Sequence, residues 1–367
     1  MTIKTKLFTI SICWLILSSC SKESVQTNNP VIPPADTALY FPPVSGNSWE
    51  SSSLAGLGWD STQLTNLYDY LQLKNTKAFI VLKNGRIVME KYFGTFVQDS
   101  LWYWASAGKT MTAMLVGIAQ QEGLLSIQQK TSDFLGTGWT SLPAAKENLI
   151  TIRHQLTMTT GLDDGVTDDD CTDPSCLVYK ADAGTRWAYH NAPYTLLDKV
   201  VEAASGLTYN NYFQQKIRNL TGMNGLWVRN GFNNVYYSNA RSMARFGLLM
   251  LNKGKWDQTV ILRDTAYYRA QINSSQNLNP SYGYLTWLNG KGSYMLPTLQ
   301  NVFAGNLVPN APSDMFCALG KNDQKVYVVP SQKLVVIRMG ESAGNIQLAL
   351  SSFDNELWGK IRAVIRY

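Results

Sequence analysis

Apolar residues recur along this chain with two different periods, and the switches between them mark its elements. After Asp60-Ser61, which reads as a helix N-cap, Leu64, Leu67, Tyr68 and Leu71 share the spacing of one helix face. Lys77 to Leu82 and Ile87 to Tyr92 are apolar or alternating runs joined by Asn84-Gly85, a strong signal for a two-stranded hairpin. Far downstream, Met315 to Leu319, Val326 to Val329 and Leu334 to Arg338 read as three more short strands. The chain closes on Ile346, Leu350, Phe353, Leu357, Ile361 and Val364, the apolar stripe of an amphipathic helix. Between these ends, helices are predicted over Thr151 to Thr159, Tyr194 to Ala204 and Ala240 to Leu251.

Strands and a helix at both ends enclose a helical middle, from about Thr110 to Tyr282. That order predicts an α+β fold in which one antiparallel sheet is assembled from both termini and flanked by helices. The sheet part is expected over residues 49–109 and 283–367, with a helical part, 110–282, inserted between them.

The first residues follow a different pattern. Lys4 and Lys6 precede an apolar stretch, Leu7 to Leu17, which suits the h-region of an export signal and is too short for a stable bilayer span. It ends in Leu17-Ser18-Ser19-Cys20, which resembles the lipobox of bacterial lipoproteins. On that resemblance residues 1–19 are a signal peptide, Cys20 is the lipidated first mature residue, and the protein is anchored to the bacterial cell envelope. Residues 20–48 are polar and proline-containing, without an apolar period, and are expected to tether lipid to domain.

Composition narrows the chemistry. With 45% hydrophobic and 16% charged residues the chain can bury a substantial core. The formal net charge is +6, or +4 without Lys4 and Lys6, too small and scattered a surplus for a nucleic-acid partner. His154 and His190 are its two histidines, too few for a histidine-built zinc site, and the cysteine spacings match no structural zinc motif. No metal or organic cofactor is therefore expected. Cys171 and Cys176 could close a small disulfide loop in an oxidising compartment or remain free thiols, while Cys317 stands alone. Asp163, Asp164, Asp168, Asp169, Asp170 and Asp173 crowd one loop. They lack the EF-hand spacing and read as a solvated acidic segment rather than a calcium site.

Against that background one pair stands out. Ser106 and Lys109, in Trp104-Ala105-Ser106-Ala107-Gly108-Lys109, share a face if a helix begins there, so hydroxyl and amine can touch. Ser19 and Lys22 have the same spacing but straddle the proposed signal cut. A lysine activates a serine only when its amine is neutral, so Lys109 must be buried or have positive neighbours. Tyr189-His190-Asn191, on a turn before a helix, supplies a phenol to move protons and a carboxamide to hold a substrate carbonyl or orient Lys109. Tyr189 as a core phenol and Asn191 as a helix cap are the structural alternatives. Two backbone donors for an oxyanion are expected from the N–H of Ser106 and from the edge at Ala318-Leu319-Gly320. Trp102, Tyr103 and Trp104 either wall an acyl pocket or belong to the core.

These three motifs resemble those of the serine β-lactamase and penicillin-binding-protein superfamily, in the branch of class C β-lactamases, DD-peptidases and related esterases. Gln155-Leu156-Thr157-Met158-Thr159-Thr160-Gly161, Ser242-Met243-Ala244-Arg245-Phe246-Gly247 and Tyr282-Gly283-Tyr284 add to the likeness, which runs from about Trp59 to Tyr367. The resemblance implies a serine hydrolase acting through an acyl-enzyme on Ser106, with Lys109 and Tyr189 as general base and acid. Asn191, Leu319 and Gly320 would contact substrate. Members acting on penicillins carry a cation and a hydroxyl residue before the last glycine, where this chain has Ala318 and Leu319. The variation is similar to 6-aminohexanoate-dimer hydrolases and esterases of the same fold, and favours a small-molecule or peptide-like ester or amide lacking that carboxylate. A penicillin-binding peptidase or β-lactamase, with Lys321 replacing the cation, and a non-catalytic binding lipoprotein are the other readings.

Overall fold

The computed structural model describes residues 1–2, 38–345 and 350–367. The export signal, Cys20 and the tether up to residue 37 lie outside the described residues, as does Ile346. Residues 38–48 run along the domain: the Tyr40 N–H donates to the Asn84 carbonyl at 2.9 Å, and the Phe41 ring meets Trp256 edge-on at 5.2 Å. Residues 39–41 are thus packed against the domain, where their polar, proline-containing surroundings suggest a tether.

Helix α1 (Leu64–Leu73) follows a short turn capped by Asp60, whose carboxylate accepts the Thr62 N–H at 3.0 Å. Strands β1 (Thr76–Lys83) and β2 (Arg86–Tyr92) form the expected hairpin, with positive φ at Asn84 (51°) and Gly85 (82°), as a two-residue I′ turn requires. Helix α2 (Gly108–Gln121) is buried on all sides from Gly108 to Ala119. Helix α3 (Ala240–Leu251), the two-residue strand β3 (Trp287–Leu288), β4 (Phe316–Gly320), β5 (Gln324–Val329), β6 (Leu334–Gly340) and helix α4 (Ser352–Ile365) complete the frame.

The sheet is antiparallel in the order β2-β1-β6-β5-β4-β3, so strands from both ends of the chain meet where β1 pairs with β6. The expected α+β sheet assembled from both termini is present. Helix α3 covers one face, and α1 with α4 covers the other. With both faces buried, the stretches Val326 to Val329 of β5 and Leu334 to Ile337 of β6 need no polar alternation and are apolar throughout. Charged side chains also lie within this core, Lys325, Arg338, Asp323 and Asp354 among them. Lys325 Nζ sits 2.8 Å from Asp354 Oδ2 and 3.1 Å from Asp323 Oδ1, and the Tyr327 hydroxyl donates to Asp354 Oδ1 at 2.6 Å.

The inserted part differs from its expected all-helical character. Leu226–Asn230 and Asn233–Ser238 form a hairpin that pairs with Trp102–Tyr103 in a small second sheet. Its two-residue turn is Gly231-Phe232, with Gly231 at a positive φ of 58° and Asn230 paired to Asn233, so the Asn-Gly dipeptide sits one position earlier in this turn than in Asn84-Gly85. The helix expected over Thr151 to Thr159 is shorter, Ile152–Leu156, because Met158 has a positive φ of 58°. That over Tyr194 to Ala204 is split into Asn191–Thr195 and Leu197–Ser205. The last helix begins at Ser352, with Ser351 and Asp354 forming a capping box, so Leu350 precedes it.

Candidate active site

Ser106 lies in a single 3₁₀ turn, Ala105–Ala107, that feeds directly into α2 and so places Lys109 in the first turn of that helix. Ala105 holds a φ of 48°, a strained conformation for a residue with a β-carbon, immediately before the serine. The strand end at Gly320 packs against the same turn. A β-carbon there would lie 2.3 Å from the Trp104 carbonyl oxygen and 3.0 Å from the Ala107 nitrogen, so only glycine permits the approach.

Lys109 is almost wholly enclosed, 3% exposed. Its Nζ is 3.0 Å from Ser106 Oγ and donates to Asn191 Oδ1 at 2.8 Å. The Tyr194 ring centroid lies 4.1 Å from Nζ and that of Tyr189 5.2 Å. Burial pushes the lysine pKa down to about 7, against an opposing pull from Asp170 and Asp169. A displacement of that size disfavours the ammonium by about 5 kcal/mol relative to water.

Burial holds the Tyr189 phenol well above its ordinary value, against a smaller lowering influence of the Ser106 hydroxyl, so it stays protonated at neutral pH. Its ring stacks on Trp287 (5.7 Å between centroids) and meets Tyr282 edge-on at 6.1 Å. His190, between Tyr189 and Asn191, is buried and pushed down to about 4 by burial, which keeps it neutral. His154 caps its own helix through Thr151. Neither histidine lines the cavity.

A cavity of about 320 Å³ opens over this group, lined by Ser106, Lys109, Asn191, Tyr194, Lys321 and the pair Asp169 and Asp170, with Ala105 and the strand Asn233 to Val235 completing the wall. Ser106, Lys109, Tyr189 and Asn191 are therefore brought together as expected. Leu319 is not: it is 1% exposed and points into the core, because β4 turns alternate side chains away from the cavity. Gly320 touches the serine turn, and Lys321, the next residue, takes the wall position. Trp104 is also core, fully buried with its indole N–H donating to Ser238 Oγ at 2.8 Å.

Cys171 and Cys176 are joined in a disulfide, Cα atoms 5.9 Å apart, and this ties down the acidic loop that presents Asp169 and Asp170. Among the described residues, the carboxylates of Asp168, Asp169 and Asp170 are the group close enough to share a cation, their oxygens within 4.8 Å of one another. The family resemblance implies that the acidic loop borders the active site, and Asp169 and Asp170 do line the cavity, whereas nothing in the spacing of Asn233 and Asn234 relates them to Ser106.

The family model described as Beta-lactamase matches residues 75–355. The chain belongs to the β-lactamase family. Its serine-hydrolase fold is that of the β-lactamases and penicillin-binding proteins. Similar structures include a protein described as a 6-aminohexanoate-dimer hydrolase from Bacillus anthracis, 18% identical at a TM-score of 0.67, covering 88% of each chain. A penicillin binding protein from Bacillus halodurans is 17% identical at a TM-score of 0.56, covering 76% of this chain and 96% of its own. In sequence, Penicillin-binding protein 4* of Bacillus subtilis is 28% identical over 148 residues, a match that spans 36% of this chain and 31% of that protein.

Proposed function

We propose that this β-lactamase-family chain hydrolyses a carboxylic ester or amide through an acyl-enzyme on Ser106. The observation that carries the reading is Lys109: a buried amine near neutrality, in hydrogen-bond contact with Ser106 Oγ at 3.0 Å and held from behind by Asn191. With Lys109 neutral, its lone pair takes the Ser106 proton as Oγ attacks the carbonyl carbon. The N–H groups of Ser106 and Lys321 hold the oxyanion, the second reached through the close approach of Gly320. Tyr189 gives its phenolic proton to the leaving alcohol or amine and regains one from the Lys109 ammonium. Water then attacks the acyl carbon, losing a proton to the same pair, which passes it to Ser106 Oγ as the acyl–oxygen bond breaks and the acid departs.

Labelling with a fluorophosphonate, followed by mass spectrometry of the adduct, tests this. The adduct should map to Ser106 and vanish in Ser106→Ala; persistent labelling of that variant rejects the assignment.

A second reading, acylation by penicillins or cell-wall peptides, is favoured by Lys321, which places an ammonium on the cavity wall where it can meet a substrate carboxylate. Stable attachment of a fluorescent penicillin to Ser106 would establish it.

Export and lipidation at Cys20 are proposed on the sequence alone. The Cys171–Cys176 disulfide supports an oxidising compartment. Incorporation of a palmitate analogue by the native chain but not by Cys20→Ala checks the anchor.

A further inference from the structure

Asn191, which holds Lys109, opens a five-residue helix, Asn191–Thr195, that has no side-chain cap. His190 occupies the cap position, yet neither of its ring nitrogens makes a hydrogen bond. The start of this helix is held by the acidic loop instead: the Asp169 carbonyl accepts the Ala192 N–H at 3.0 Å. Its other side is fixed separately, by Gln155 Nε2 donating to the Pro193 carbonyl at 2.7 Å. The placement of Asn191 therefore depends on where the loop holds one backbone oxygen.

The loop is poorly suited to hold that oxygen unaided. The carboxylates of Asp168, Asp169 and Asp170 lie within 4.8 Å of one another, so the segment repels itself. Asp173 to Ser175 are exposed and have no packing to lean on. Firm contact resumes at Leu177, fully buried in a small cluster with Trp139, Ile150, Leu162 and Ala192. Its carbonyl accepts the Ser141 N–H at 3.1 Å. The Cys171–Cys176 bridge spans the exposed gap, because Cys171 closely follows Asp169 and Cys176 directly precedes Leu177. It thus ties the acceptor at Asp169 to the cluster that contains the donor's own residue, Ala192.

We propose that Cys171 and Cys176 are positioning residues for acylation: their disulfide keeps the Asp169 carbonyl on Ala192, hence Asn191 on Lys109 and Lys109 on Ser106. The inference rests on Ser106 being the nucleophile. With the bridge open, the Ala192 N–H loses its acceptor and the turn bearing Asn191 is restrained from one side. The amine is then no longer fixed beside the hydroxyl, and small displacements of a proton-transfer group are costly to rate. Tyr189 is anchored independently, through the Ala188 N–H donating to the Met158 carbonyl at 2.9 Å, so the effect passes through Asn191.

The full-length protein and its Cys171→Ser, Cys176→Ser form are compared by stopped-flow labelling with a fluorophosphonate over a concentration series, well below either melting transition. The maximum labelling rate should fall about tenfold in the variant, short of the loss expected of Asn191→Ala, with the half-saturating concentration within about twofold of native. A bridge that merely stabilises the fold would lower the melting temperature and leave that rate unchanged. Added to Asn191→Ala, the serine pair should cost less than about a further twofold, since the residue it acts through is already gone. Reducing the native protein with a phosphine should reproduce the slow rate, and reoxidation should restore it. The phosphine gives two electrons to the sulfurs and takes oxygen from water, whose protons complete the two thiols. Alkylation and mass spectrometry confirm that the bridge is open, and if the serine form does not fold, the reduced native chain carries the test. An undiminished maximum rate without the bridge overturns the inference, as does an equal loss in the Asn191→Ala background. Labelling at Ser106 that ignores the bridge removes this inference alone, whereas absence of labelling in the native protein removes the nucleophile with it.

Discussion

Asn191 Oδ1 accepts a hydrogen bond from Lys109 Nζ at 2.8 Å, joining residues 82 positions apart in the chain. The contact fixes the amine beside Ser106 and leaves its remaining lone pair, when neutral, facing the hydroxyl. Asn191→Ala is expected to slow acylation about 100-fold, the usual scale for a mispositioned proton-transfer group. Stopped-flow labelling gives the rate, and a thermal melt separates this loss from unfolding. Asn191→Asp should instead raise the lysine pKa and displace the acid limb of the pH profile upward.

The pH dependence of activity follows from Lys109. Its pKa of about 7 predicts that acylation rises with pH through that value as the amine loses its proton. The stability effect has a definite sign. Unfolded, the lysine titrates at its ordinary 10.5; folded, at about 7, so between these values the unfolded state binds more protons and this group's contribution to stability grows with pH. Below about 7 both states are protonated and the burial cost is at its fullest. Lys109→Met should therefore be inactive yet more stable at pH 7 than the native chain, an advantage that shrinks toward pH 10. Denaturant unfolding at several pH values measures both.

Gly320→Ala places a methyl group 2.3 Å from a carbonyl oxygen of the serine turn, and neither backbone can yield without moving Ser106. A destabilisation of about 1 to 3 kcal/mol is expected, the range for overpacking. The fall in kcat should exceed what the melting curve explains, because the displaced backbone is the proposed oxyanion site.

Lys325→Met strands the Asp323 and Asp354 carboxylates inside the sheet core without their ammonium. Breaking a buried pair from one side costs about 3 to 5 kcal/mol. Urea unfolding should show a loss of that size, and adding Asp354→Leu should recover part of it.

The outer frame was legible from sequence because its signals are local. Asn84-Gly85 marked a hairpin, and the apolar runs at Val326 to Val329 and Leu334 to Arg338 marked buried strands. Local patterns misled where tertiary contacts govern. The Leu226 to Ser238 hairpin interrupts the expected helical middle, and its pairing with Trp102 and Tyr103 joins segments more than a hundred residues apart. Residues 38–48 looked like tether because packing against Asn84 and Trp256 has no sequence period.

For the site, the sequence by itself determined the chemical inventory: a serine and a lysine one helical turn apart, a phenol and a carboxamide on a shared turn, and too few histidines for a histidine-built zinc site. A spacing of three residues makes Ser106 and Lys109 neighbours once a helical turn forms there. Only the tertiary structure decided that Lys109 is desolvated, that Leu319 faces the core while Lys321 borders the cavity, and that Asp169 and Asp170 stand on its wall. Those properties depend on burial and on charges brought from distant segments, and neither is encoded in any short stretch of chain.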